Sequence, residues 1–180
     1  MRTSWACPQL PTSSHSVSVC SGGSMNNPYA MVALPVVLFL FIGNTAARSI
    51  NETATYQTCI NTPSSCTQLL LHSNQLTGTM PSELGILTRI TRLGLHDNQL
   101  TGTIPSELGA LAGLTYMGLD YNLLTGTLPT ELGTITNLVE MGLHYNELTG
   151  TVPSELGLTG LTWMYCFSNQ LTGTLPSELG

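Results

Sequence analysis

The sequence predicts an α/β repeat solenoid of about five units, each about 24 residues long. Two observations predict this fold class. A ten-residue string close to LTGTIPSELG recurs five times, beginning at positions 76, 100, 124, 148 and 171. An asparagine precedes each copy, at Asn74, Asn98, Asn122, Asn146 and Asn169; the first four are evenly spaced and the fifth comes one position early. Self-similarity at such a spacing indicates stacked units that cover one another's apolar faces.

The segment before each asparagine predicts a β-strand. In the second unit Leu93 and Leu95 alternate with outward positions, which is typical of a half-buried strand. Strands one unit apart are expected to pair at about 4.8 Å in a parallel sheet. The asparagine side chain can bond backbone groups of its own and adjacent turns, so the asparagine column is expected to satisfy buried polar groups in series.

The recurring string predicts framework rather than a reactive motif. Its leucines and isoleucine are expected to fill the core, and its Thr-Gly-Thr segment is expected to be extended. Pro-Ser-Glu-Leu-Gly predicts one helical turn. In that turn proline takes the first helical position, glutamate lies at the positive N-terminal end, and glycine forms the exit.

The full pattern, L-x-x-L-x-L-x-x-N-x-L-T-G-T-I-P-x-E-L-G-x-L, resembles the plant-type leucine-rich repeat over residues 66–180. The mark of this subclass is the L-T-G-x-I-P segment after the asparagine. The resemblance implies a right-handed superhelix with a parallel, concave β-sheet that binds ligands. Receptor-kinase ectodomains, receptor-like proteins and polygalacturonase-inhibitor-like proteins carry this repeat. Gly180 falls inside the fifth unit, so we expect a truncated repeat array.

Residues 48–65 are predicted to form an N-terminal cap. Cys59 and Cys66 are similar to the short cap of that family. No second cysteine or histidine pair lies near them, so a disulfide is favoured over a metal pair. Asn51-Glu52-Thr53 is a sequon, which makes Asn51 a candidate glycosylation site. Both features favour the secretory pathway and an extracellular or cell-surface location.

The chain upstream of the cap predicts export. Residues 1–28 form a polar leader that is expected to be disordered, and residues 29–47 contain the apolar run YAMVALPVVLFLFI followed by small residues. That run is shorter than the roughly 20 residues that a membrane-spanning helix needs. It predicts either a cleaved signal peptide or a retained signal anchor, which would be a possible membrane tether.

Composition and motifs exclude several functions. The chain has 4 Lys and Arg against 10 Asp and Glu, a net charge of -6. It therefore cannot neutralise a run of phosphates, and we expect no nucleic-acid partner. The sequence contains no nucleophile elbow, no H-E-x-x-H, no P-loop and no dinucleotide-binding motif. We predict a non-catalytic protein without a cofactor.

Candidate ligand-binding residues occupy the outward positions of the predicted concave strands, where side chains vary while inward positions do not. They are Arg92, His96, Tyr116, Asp120, Tyr121, Glu140, His144, Tyr145, Trp163, Tyr165 and Phe167. Aromatic anchors among polar groups favour recognition of a protein, peptide or glycan, although aromatic residues also favour strands in general. A glycine column is expected to keep the middle of the face shallow.

Two repeated columns suggest other chemistry. His72, His96, Asp120 and His144 fall in one row; His96, Asp120 and His144 could hold Zn²⁺, although duplication of one polar residue is the favoured explanation of the row. The two threonine columns of the LTGT segments, one beginning at Thr77 and the other at Thr79, could form a regular hydroxyl array. Their neighbours would lie about 5 Å apart between repeats. This array is the basis of an alternative hypothesis, ice binding.

Overall fold

The structure, a computed structural model, describes residues 48–177. The predicted leader and the predicted signal peptide or anchor at 29–47 lie outside the described residues. Within residues 48–177, no helix is long and apolar enough to cross a membrane.

The repeats form two parallel β-sheets. In chain order the strands are β1 (Gln68–Leu70), β2 (Thr77–Thr79), β3 (Arg92–Gly94), β4 (Gln99–Gly102), β5 (Tyr116–Gly118), β6 (Leu123–Gly126), β7 (Glu140–Gly142), β8 (Glu147–Gly150), β9 (Trp163–Tyr165) and β10 (Gln170–Leu171). The first sheet has the order β1-β3-β5-β7-β9, and the second has the order β2-β4-β6-β8-β10. The predicted α/β solenoid and its parallel sheet are confirmed; the second sheet was anticipated only as extended chain.

The Pro-Ser-Glu-Leu-Gly segments form short 3-10 helices, at Ser82–Ile86, Ser106–Ala110, Thr130–Thr134 and Ser154–Leu158. Each helix begins one residue after the proline, so the predicted position of proline inside the helix was wrong. Pro105, for example, has extended backbone with ψ of 134°, and its carbonyl accepts the first helical bond from Leu108. Glycine at the fourth position lies inside each helix and is buried at Gly85, Gly109 and Gly133, so the predicted role of this glycine as an exit residue was also wrong.

The core is one continuous column of apolar side chains between the sheets and the helices. The central residue of every first-sheet strand is buried: Leu69, Leu93, Met117, Met141 and Met164. Leu84, Leu108, Leu132 and Leu156 are buried from the helical side. Because each unit covers the apolar face of the next, the array forms one cooperative core rather than independent units.

The predicted asparagine ladder is present between the two sheets. Asn122 is only 6% exposed, and its Oδ1 accepts a hydrogen bond from the Leu100 N–H at 3.0 Å. Its Nδ2 donates to the carbonyl oxygens of Leu95, Leu119 and Asp120 at 3.0, 3.1 and 3.2 Å. Equivalent bonds recur at Asn98, Asn146 and Asn169. The ladder therefore ties each unit to the unit before it.

A short helical segment precedes β1. It contains a 3-10 helix, Ile50–Glu52, and helix α1, Ala54–Asn61, whose N-cap is Thr53. The Thr53 hydroxyl accepts a hydrogen bond from the Tyr56 N–H at 3.2 Å. The predicted disulfide between Cys59 and Cys66 is present, and it ties the last turn of α1 to the chain that enters β1.

Candidate functional site

The strand register of the first sheet aligns its outward residues in rows. One row contains Gln68, Arg92, Tyr116, Glu140 and Trp163. The next contains Leu70, Gly94, Gly118, Gly142 and Tyr165. Successive residues within each row are paired across adjacent strands. The columns inferred from sequence spacing are therefore rows of neighbouring residues on one face.

Aromatic rings gather around His144, as the sequence suggested for the C-terminal repeats. We call Tyr121, His144, Tyr145, Tyr165 and Phe167 the aromatic cluster. Tyr121 stacks on Tyr145, and His144 stacks on Phe167, with ring centroids 4.6 Å apart in both pairs. Tyr165 meets His144 edge-on at 6.1 Å. Tyr121 and Tyr145 remain 47% and 46% exposed, so the cluster is a prominent apolar surface.

Two tyrosines of the aromatic cluster have left-handed backbone conformation. The φ angles are 52° at Tyr121 and 54° at Tyr145. The corresponding residues of other units, which include Ser73, Asp97 and Ser168, have the same conformation with smaller side chains. A bulky residue there costs on the order of 1–3 kcal/mol, because Cβ crowds the backbone. The sequence pattern placed these tyrosines on the face but did not reveal the strain.

Neighbouring side chains approach the glycine column, which the sequence predicted as a shallow middle of the face. A Cβ built on Gly118 would lie 2.5 Å from the Tyr116 hydroxyl oxygen, and one on Gly142 would lie 2.5 Å from Asp120 Oδ1. These two side chains lean over the glycines and bury them. A larger residue at either glycine would displace the Tyr116 hydroxyl or the Asp120 carboxylate, both of which are ends of flexible side chains.

Charged groups on the same face are unevenly paired. Asp120 Oδ2 lies 3.7 Å from His144 Nε2. The Arg92 guanidinium lies 4.5 Å from the centroid of the Tyr116 ring. Burial raises the pKa of the Tyr116 phenol, and the carboxylates of Asp120 and Glu140 raise it further, against the opposing effect of Arg92. Both carboxylates therefore act electrostatically on the Tyr116 hydroxyl.

The histidine row does not assemble a zinc site. His96 stacks flat on His72 with centroids 4.6 Å apart, whereas His144 contacts Asp120 and the aromatic cluster. Within residues 48–177, no group of three His, Cys, Asp or Glu side chains is placed to hold a metal ion. His72 lies in this row beside His96, as its position one repeat before His96 predicted.

The threonine columns are staggered in the second sheet rather than aligned. Thr79 pairs with Thr101, so the second threonine of one unit neighbours the first threonine of the next. The glycine between the threonines has positive φ, for example 74° at Gly102, so the segment is not a straight strand. The predicted array of like columns at neighbouring positions was therefore wrong in register, although Thr79, Thr101 and Thr103 are exposed.

The sequence matches the family model of the Leucine Rich Repeat at residues 89–111. It is also similar to the ectodomain of the membrane receptor kinase GASSHO1/SCHENGEN3 from Arabidopsis thaliana, solved in complex with Casparian strip integrity factor 2. The identity is 45%, the TM-score is 0.61, and the match covers 63% of this chain and 14% of that one. The predicted resemblance to plant-type leucine-rich-repeat proteins is thus confirmed.

Two other similar solved structures are a peptide hormone receptor and an ice-binding protein. The plant peptide hormone receptor RGFR1, in complex with RGF2, is 33% identical with a TM-score of 0.56, over 63% of this chain and 22% of that one. A plant ice-binding protein is 33% identical with a TM-score of 0.58, over 63% of this chain and 37% of that one. This leucine-rich-repeat chain thus spans less than two thirds of each relative. No curated protein matches the sequence.

Proposed function

We propose that this leucine-rich-repeat protein is a non-catalytic recognition module that binds an extended peptide or protein segment on its first sheet. We place it in the secretory pathway, outside the cell or at its surface. The disulfide between Cys59 and Cys66 supports an oxidising compartment. The similarity to a receptor ectodomain and to a peptide hormone receptor, each solved in complex with a partner, supports ligand binding.

The observation that carries this proposal is the strained, exposed aromatic cluster. Tyr121 and Tyr145 have left-handed backbone and stack on each other while almost half of each surface faces solvent. Smaller residues occupy the same backbone position in other units, so the fold itself does not require tyrosine there. Backbone strain of this kind concentrates at ligand-binding positions, and exposed tyrosine and tryptophan are the preferred anchors of interfaces.

Replacing Tyr145 with asparagine separates binding from folding. Asparagine tolerates left-handed backbone, so relief of strain offsets the lost ring contacts with Tyr121 and Phe167. We expect the free energy of unfolding to stay within about 1 kcal/mol of wild type. Peptides selected on the wild-type chain from a random displayed library should bind the variant at least tenfold more weakly, about 1.4 kcal/mol or more. Titration calorimetry and urea denaturation measure the two effects.

Ser73→Asn is the matched control for Tyr145→Asn. Ser73 has the same left-handed backbone, with φ of 56°, but lies in the first unit, away from the aromatic cluster. This variant should keep both stability and affinity. If Tyr145→Asn binds the selected peptides as tightly as Ser73→Asn does, or if the library yields no binding peptide, the proposed function is wrong.

Ice binding is a second candidate function, and the similarity to a plant ice-binding protein is the observation that favours it. Exposed threonines on the second sheet would be the contacting groups. The staggered pairing of Thr79 with Thr101 weighs against a lattice match. Thermal hysteresis measured on the wild-type chain tests this candidate, and absence of hysteresis would remove it. Hysteresis that is unchanged in Tyr145→Asn would place the ice-binding surface away from the first sheet.

A further inference from the structure

Glu140 is an unpaired carboxylate on the first sheet, on the strand next to the edge strand β9. It begins β7, is half-buried, and stands in one row between Tyr116 and Trp163. Within residues 48–177 its carboxylate takes part in no hydrogen bond or ion pair. A half-buried charge flanked by aromatic side chains loses hydration without gaining a partner, so it provides a strong attraction for a cation.

A second carboxylate, like that of Glu140, lies near the Tyr116 hydroxyl. Asp120 leans over Gly142, two residues along the strand from Glu140, and Tyr165 is the row partner of Gly142. We call Tyr116, Asp120, Glu140, Trp163 and Tyr165 the acidic basin. Near the Tyr116 hydroxyl these two carboxylates outnumber the one guanidinium, that of Arg92 over the Tyr116 ring.

The aromatic side chains give the acidic basin its selectivity. The faces of tyrosine and tryptophan rings attract cations, and planar guanidinium groups stack on them more readily than ammonium groups do. Arg92, whose guanidinium lies 4.5 Å from the Tyr116 ring centroid, shows that this face accommodates such stacking. Trp163, the partner of Glu140 on the next strand, is 45% exposed.

We propose that the acidic basin binds the guanidinium group of an arginine side chain in the extended peptide ligand. Glu140 accepts its hydrogen bonds, Trp163 and Tyr165 flank its plane, and Asp120 adds negative charge. This inference rests on the proposed function, since it names a ligand side chain for the same face. A ligand that carries arginine would also be complementary in charge to this chain, whose net charge is -6.

The test uses a random displayed peptide library selected in parallel on wild type, Glu140→Gln and Glu147→Gln. Glu147 is the matched control, because it is an exposed glutamate of β8 in the second sheet and its replacement removes the same charge. Arginine should be enriched in peptides selected on wild type and on Glu147→Gln, and this enrichment should be lost on Glu140→Gln. Unchanged melting temperatures would show that all three proteins are folded.

A double-mutant cycle then measures the contact itself. The best wild-type peptide is compared with a copy in which citrulline replaces arginine, which keeps the shape and removes the charge. We expect about a tenfold loss of affinity for citrulline on wild type, and little further loss on Glu140→Gln. Equal citrulline effects on both proteins would overturn the inference.

The outcomes separate this inference from the proposed function. Selected peptides that depend on Tyr145 but show no arginine enrichment would overturn the arginine site and leave peptide recognition standing. Enrichment of lysine equal to that of arginine would overturn the guanidinium selectivity. Failure to select any peptide would overturn both proposals.

Discussion

Replacing the buried Asn122 with alanine should lower the free energy of unfolding by about 3–4 kcal/mol. The substitution leaves the buried Leu100 N–H without its acceptor and removes donors from the carbonyls of Leu95 and Leu119. Each unsatisfied buried group costs about 1–3 kcal/mol, and no water replaces a side chain that is 6% exposed. Urea denaturation followed by far-ultraviolet circular dichroism and Trp163 fluorescence measures the loss.

Asn74→Ala is the control for that result. Asn74 occupies the same position in the first unit but is exposed, and its side-chain amide donates only to the His72 carbonyl at 2.8 Å. We expect a loss below about 1 kcal/mol, because water can take over that bond. Equal losses for the two variants would show that the ladder stabilises the fold by something other than burial of its hydrogen bonds.

The first sheet was predictable because its register equals the repeat spacing. Gln68 pairs with Arg92, and Arg92 with Tyr116, each a full repeat further along the chain, so columns read from the sequence became rows of neighbours. The second sheet was not predictable in this way. Thr79 pairs with Thr101 rather than with its equivalent Thr103, so the register of the second sheet is offset by two residues from the repeat spacing. The repeat spacing shows which residues of different units are equivalent, but it does not show which residues of neighbouring units pair.

The candidate site was predictable as a face but not as a set of contacts. Spacing placed Asp120, Glu140 and His144 on one surface. It could not show that Asp120 pairs with His144 while Glu140 stays unpaired, because side-chain rotamers decide those contacts. The left-handed backbone at Tyr121 and Tyr145 was hidden for a related reason, since tyrosine has no preference for it and the conformation is imposed by the repeat.

Replacing Gly109 with alanine should cost about 2–3 kcal/mol by forcing two units apart. The new Cβ would lie 2.5 Å from the Glu131 carbonyl oxygen and 2.9 Å from the Glu131 carbonyl carbon, both backbone atoms of the next unit. Rotamer changes cannot relieve contact with backbone, so either neighbouring helices separate or the core beneath them loosens. Gly85 and Gly133 make the same approach, which explains why the recurring string ends in glycine.

Gly113→Ala tests whether packing rather than glycine content is responsible. A Cβ there would lie 3.6 Å from the Ile90 carbonyl oxygen, an ordinary contact. Neither Gly109 nor Gly113 has positive φ, so alanine strains neither backbone. Alanine also restricts the unfolded chain, which should make Gly113→Ala neutral or stabilising by up to about 1 kcal/mol. If both variants unfold at the same urea concentration, close packing between the 3-10 helices is not what requires glycine at position 109.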